Sequence, residues 1–170
     1  MVATAAALVQ KVAKLSIKQW PEATEIDARA ERLRLRAEEL VEEDSLAYLA
    51  YMDAVRSSQD VPTAQSRTVE VPLEIVKAAA EVAALAEKSA SSGNPRLRAD
   101  AVVAAMLASA GAEAAAFLVA VNLGEVADAR LEEAQRLADE ASARLPSRDA
   151  PGSSGDPGRG RARSSGNRRR

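Results

Sequence analysis

The stretch AERLRLRAEELVEEDSLAYLAYMDAV, residues 30–55, sets apolar side chains at Leu33, Leu40, Leu46, Tyr48 and Met52 among dense charge. Steps of that kind are the mark of an α-helix with one apolar face. Pro21 suits the first turn of this helix, which is expected to run to about Ser57. Before it, a first helix is expected from about Val2 to Ile17, broken by Trp20-Pro21. After it, Ser58–Glu70 reads as a polar loop carrying Pro62, and Val71-Pro72 opens a third helix to about Ala90. Ser91-Ser92-Gly93-Asn94-Pro95 is a helix stop followed by a helix start. A fourth helix runs from about Leu97 to Leu123, and Gly124 separates a fifth that ends near Arg144. No repeat is visible. About five helices on short connections describe an all-α bundle.

Composition agrees with that reading. Of the 170 residues 39 are Ala, and the aromatic residues are Trp20, Tyr48, Tyr51 and Phe117. Sheets favour β-branched and aromatic residues, whereas Ala, Leu, Glu and Arg favour helices. The chain contains no His and no Cys. Disulfides, zinc sites built on those residues, His bases and Cys nucleophiles are therefore excluded. Any chemistry rests on carboxylates, hydroxyls, Lys, Arg or backbone amides.

The net charge of −2 conceals two objects. Residues 1–147 carry a balance of −7, and residues 148–170 carry +5. From Pro146 onward lie five of the eight Gly, three of the seven Pro and no hydrophobic periodicity. Such a segment buries too little apolar surface to offset its ordering entropy. The expected organisation is a helical domain over 1–145 and a disordered tail over 146–170. The tail's arginines attract anions by charge without specificity; no aromatic is interleaved to read bases, so nucleic acid is not the expected partner. No targeting segment stands out, and a cytoplasmic location is expected. Ala101–Leu123 is long enough to span a membrane, but Glu113 would sit near its centre. A central helix surrounded by others accounts for the same composition, so no membrane partner is expected.

Short motifs then follow in a telling order: Glu43-Asp44-Ser45-Leu46-Ala47-Tyr48, Val71-Pro72-Leu73, Gly93-Asn94-Pro95, Asp100 ahead of an Ala-rich helix, and Val121-Asn122-Leu123. From roughly Ala7 to Ala138 the chain resembles the cyclodeaminase/cyclohydrolase family. That family includes the C-terminal domain of formiminotransferase-cyclodeaminase and the methenyltetrahydrofolate cyclohydrolases. The resemblance implies an all-helical homodimer acting on a one-carbon unit of a tetrahydrofolate substrate, with the folate site near the interface. The deaminases close 5-formiminotetrahydrofolate to the 5,10-methenyl form and release ammonia; the cyclohydrolases open the methenyl ring with water. Neither reaction needs a bound metal or redox cofactor. The resemblance implies that Asp44 is the proton acceptor. Family members usually carry a Gly-Gly-Gly-Ser/Ala loop before the first helix, whereas here Met1 already lies at what reads as that helix.

The residues themselves leave alternatives open. On a helix, Asp44, Tyr48 and Tyr51 share a face, and a carboxylate beside two rings in a partly dry groove suits proton transfer. Glu42, Glu43 and Asp44 equally read as an exposed acidic patch beside two core tyrosines. Asp100 reads either as a helix-start carboxylate favoured by the macrodipole or, through the resemblance, as a substrate contact. Asn122 reads as a cap before Gly124 or, through the resemblance, as a pterin contact, and Asn94 as a turn residue or, again through the resemblance, a further contact. An independent motive for dimerisation is the Ala-rich body, whose small side chains bury little area and allow close helix approach. Two functions compete: a folate cyclohydrolase or cyclodeaminase working through Asp44, and a non-catalytic helical dimer serving as an interaction module.

Overall fold

A computed structural model describes residues 1–146, and the tail expected over 146–170 lies outside them from residue 147 onward. Five α-helices follow one another: α1 (Val2–Lys14), α2 (Ala23–Ser57), α3 (Val61–Ser92), α4 (Arg98–Leu123) and α5 (Ala129–Ala143). A short 3-10 turn, Pro95–Leu97, precedes α4, and no strand occurs among the described residues. The all-α bundle expected from periodicity is the fold.

The boundaries differ in two instructive places. α1 stops at Lys14 rather than Ile17, because Leu15–Gln19 form turns that carry buried Trp20 into the core. The larger correction concerns Ser58–Glu70. It is not a loop: a corner at Ser58–Asp60 turns the chain, and α3 begins at Val61. Ser58 (φ 56°) and Asp60 (φ 51°) take the left-handed conformation needed for so tight a reversal. Pro62 falls in the first turn of α3, where a missing N–H costs nothing. Pro72 does not open the helix but lies inside it, fully buried.

Small residues set the packing. α4 packs against α3, α1 and α5, and over half (56%) of its most apolar window is inside the fold, as expected of a central helix. Gly111 lets α1 approach: a Cβ there would meet the Val2 Cγ2 atom at 2.8 Å. The end of α1 is tied to the α3–α4 corner by Ser16, whose Oγ donates to the Val12 carbonyl (2.6 Å) and accepts from the Asn94 amide (2.8 Å). α5 is latched to α4 where Ser142 Oγ donates to Glu113 (2.7 Å). It is capped by Asp128, which accepts from the Arg130 amide at 2.8 Å.

One consequence of these lengths matters for function. α1 is short and begins beside Gly111, running back toward the start of α4, so the second half of α4 has no α1 alongside it. α2 and α4 scarcely touch, and α3 lies beneath both. An open groove results, walled by α2 and α4 and floored by α3.

Candidate functional site

Two cavities follow one another along this groove. The first, about 240 Å³, is almost wholly apolar: Val41 on α2, Ile75 on α3, Ala114 and Leu118 on α4, and Met1–Ala3 at its end. The second, also about 240 Å³, is mixed in character: Tyr48 and Tyr51 on α2, Gln65 and Thr68 on α3, and Val121–Gly124 at the end of α4. An apolar body with a few converging polar groups is the usual make-up of a small-molecule site.

Asp44 lies on the turn of α2 between Val41, which lines the first cavity, and Tyr48, which lines the second. At 100° per residue it occupies the helix face between the groove wall and the α3-packed Leu40 and Ala47. It is half-buried. Every other half-buried carboxylate among the described residues is in an ion pair: Asp27, Glu43, Glu74, Glu81, Asp100, Asp128 and Glu133. Asp44 makes no ion pair or hydrogen bond with another described residue. Desolvating a carboxylate without a partner is unfavourable, so a lone one beside a groove is a candidate for work on a ligand.

Its neighbour Glu43 behaves in the opposite way. Glu43 is bonded by Arg36 and by Arg67 (2.6 Å), and Arg36 also bonds Glu74. The Arg36 guanidinium holds the Glu43 carboxyl below its ordinary range. This network seams α2 to α3 away from the groove, so Glu43 is a half-buried, paired carboxylate rather than part of an exposed acidic patch, and Tyr48 is exposed rather than in the core.

The second cavity contains a substitution of one hydrogen bond for another. Pro72 has no N–H, so the Thr68 carbonyl four residues earlier lacks its helical donor. The Asn122 side chain donates to that carbonyl from Nδ2 at 2.6 Å. In return Gln65 Nε2 donates to the Asn122 carbonyl at 3.3 Å. Thr68 and Gln65 were invisible in the sequence because they fall in the stretch that reads as loop. Gly124 closes the cavity with φ 63° and ψ −132°, a conformation open essentially to glycine.

Of the residues singled out by sequence, Tyr48 and Asn122 share a cavity, with Asp44 on the adjoining turn of α2. Asn94 and Asp100 do not join them. Asp100 is 22 residues from Asn122 on α4, about 33 Å along the axis. Asp100 pairs with Lys11 at 2.9 Å, and the Asn94 side chain accepts from the Arg96 amide at 3.0 Å. Within one chain both serve the other end of the bundle. Among the described residues no three acidic side chains gather as a metal site would require.

A family model described as formiminotransferase-cyclodeaminase matches residues 1–142. Among solved structures, the chain is similar to the formiminotetrahydrofolate cyclodeaminase of Thermotoga maritima. The two are 28% identical, with a TM-score of 0.77, over 85% of this chain and 80% of that one. No curated protein matches.

Proposed function

This chain belongs to the formiminotransferase-cyclodeaminase family, and from that premise we propose that its groove acts on a one-carbon unit carried by tetrahydrofolate. Asp44 is the proton-transfer group. The observation that carries the proposal is its isolation: among the described residues it is the half-buried carboxylate without a protein partner, and it lies on the turn of α2 between Val41 and Tyr48, which line the two cavities. Both candidate reactions pass through a tetrahedral carbon between nitrogens, and each needs a proton moved there. A positioned carboxylate does this, and typically contributes about 10²–10⁴-fold. The apolar cavity suits an uncharged ring, and the tyrosine–amide cavity suits a heterocycle edge rich in donors and acceptors. No redox or metal step enters either reaction.

The protein acts as a homodimer in this proposal. On α4, Val103, Met106, Ala110, Ala114, Phe117 and Val121 are exposed at steps of three and four residues, and Phe117 is 68% exposed. Met1, Val41, Tyr48 and Leu118 widen the stripe. Eight large side chains, each exposed by about half, present on the order of 900 Å², against about 800 Å² per partner in a stable interface.

The test is direct. The full chain is mixed with 5,10-methenyltetrahydrofolate, and loss of its absorbance is followed; ammonia release from 5-formiminotetrahydrofolate is followed in parallel. Acceleration of one reaction identifies the activity. Acceleration of neither, with no binding of tetrahydrofolate by calorimetry, overturns the proposal in favour of a non-catalytic helical dimer.

A further inference from the structure

The Pro72–Thr68–Asn122 contact has a consequence for the ligand as well as for the helix. A buried proline inside α3 frees one carbonyl, and a freed buried carbonyl is costly unless another donor reaches it. Asn122 supplies that donor from the adjacent helix. At 2.6 Å from a carbonyl oxygen, the amide has one possible orientation: Nδ2 faces Thr68, since the reverse would set two acceptors against each other. The oxygen is left over. Asn122 Oδ1 accepts no hydrogen bond from another described residue, and Asn122 lines the cavity opposite Tyr48 and Tyr51.

We infer that Pro72 fixes the polarity of Asn122, so that the groove presents an acceptor, Oδ1, to an N–H of the bound ring. Asn122 is thus a specificity-determining residue for a heterocycle edge that donates, such as the N–H groups of a reduced pterin. Pro72 and Thr68 are positioning residues that act through it. The ligand half of this inference rests on the folate reading; the clamp half does not.

The experiment is a double-mutant cycle on the full chain. Asn122→Ala, Asn122→Asp, Pro72→Ala and the two double variants are compared by thermal melting and by calorimetric titration with tetrahydrofolate. Pro72→Ala restores a backbone N–H to the Thr68 carbonyl and favours the helix, so this variant folds. With Pro72 in place, each Asn122 change is expected to lower the melting midpoint by roughly 3–8 °C, because neither Ala nor a carboxylate donates to the carbonyl. In the Pro72→Ala background the same changes should cost less than half as much. Tetrahydrofolate affinity of Asn122→Ala should fall about three- to tenfold and stay low in the double variant, although stability returns. Additive melting shifts would overturn the clamp. Affinity that recovers with stability would overturn the ligand contact and leave Asn122 structural. If the unaltered chain binds no tetrahydrofolate, the folate reading and the contact both fail, while the melting cycle still decides the clamp.

Discussion

Glu43 is held by Arg36 and Arg67, whereas Asp44, the next residue, is held by nothing among the described residues. The pair therefore separates stability from chemistry. Glu43→Gln weakens the α2–α3 seam and is expected to lower the melting midpoint by roughly 1–4 °C without changing turnover. Asp44→Asn breaks no contact and should leave the melt unchanged. Spacing alone brought Asp44, Tyr48 and Tyr51 onto one helix face, and the structure keeps them there. What sequence did not reveal was which acid of the Glu42–Asp44 run is unpaired, since that depends on where Arg36, Arg67 and Glu74 meet across helices. Nor did it reveal that Asn94 and Asp100 stand at the opposite end of α4 from Asn122, a matter of helix length rather than motif order.

Four helices of the five were legible from period and from their punctuation. α3 was read short because two prolines and a polar run resemble a loop. Pro62 is harmless in a first turn, and Pro72 survives because a residue 50 positions later satisfies its freed carbonyl. No local rule announces such a donor. The end of α4 follows the ordinary rule, with a glycine after the last turn. Gly124 has φ 63° and open space around a would-be Cβ. Gly124→Ala should therefore cost about 1–2 kcal/mol of backbone strain, with no clash, in a denaturant titration.

At the scale of the whole molecule, the apolar stripe along α4 bears on the proposed pairing of two copies, and the ion pairs bear on acid stability. Phe117→Glu places a charge at the centre of the stripe and should yield monomers at micromolar concentration in sedimentation velocity, where the unaltered chain is expected to sediment as the proposed dimer. Glu22 beside Lys88, Glu43 beside Arg36 and Asp128 beside Arg130 all titrate below their ordinary values, Asp128 at about 2. Their unfolded values are 4.5, 4.5 and 3.8. Folded values below unfolded ones mean that this stabilisation is fully present above the unfolded range. It is lost as pH falls through the folded values, toward 2 for Asp128. Melting midpoints recorded from neutral pH down to about pH 2 should fall most steeply below pH ~4, less so in high salt.

The account rests most heavily on Asp44 as the group that moves a proton on a tetrahydrofolate one-carbon unit. The direct measurement is the rate of 5,10-methenyltetrahydrofolate loss, or of ammonia release from the formimino substrate, for the unaltered chain and for Asp44→Asn at equal protein concentration. The unaltered chain is expected to accelerate one of them. Asp44→Asn should lower that rate at least about 10²-fold with an unchanged melting curve and unchanged tetrahydrofolate binding. A variant that folds, binds and turns over like the original would contradict the account.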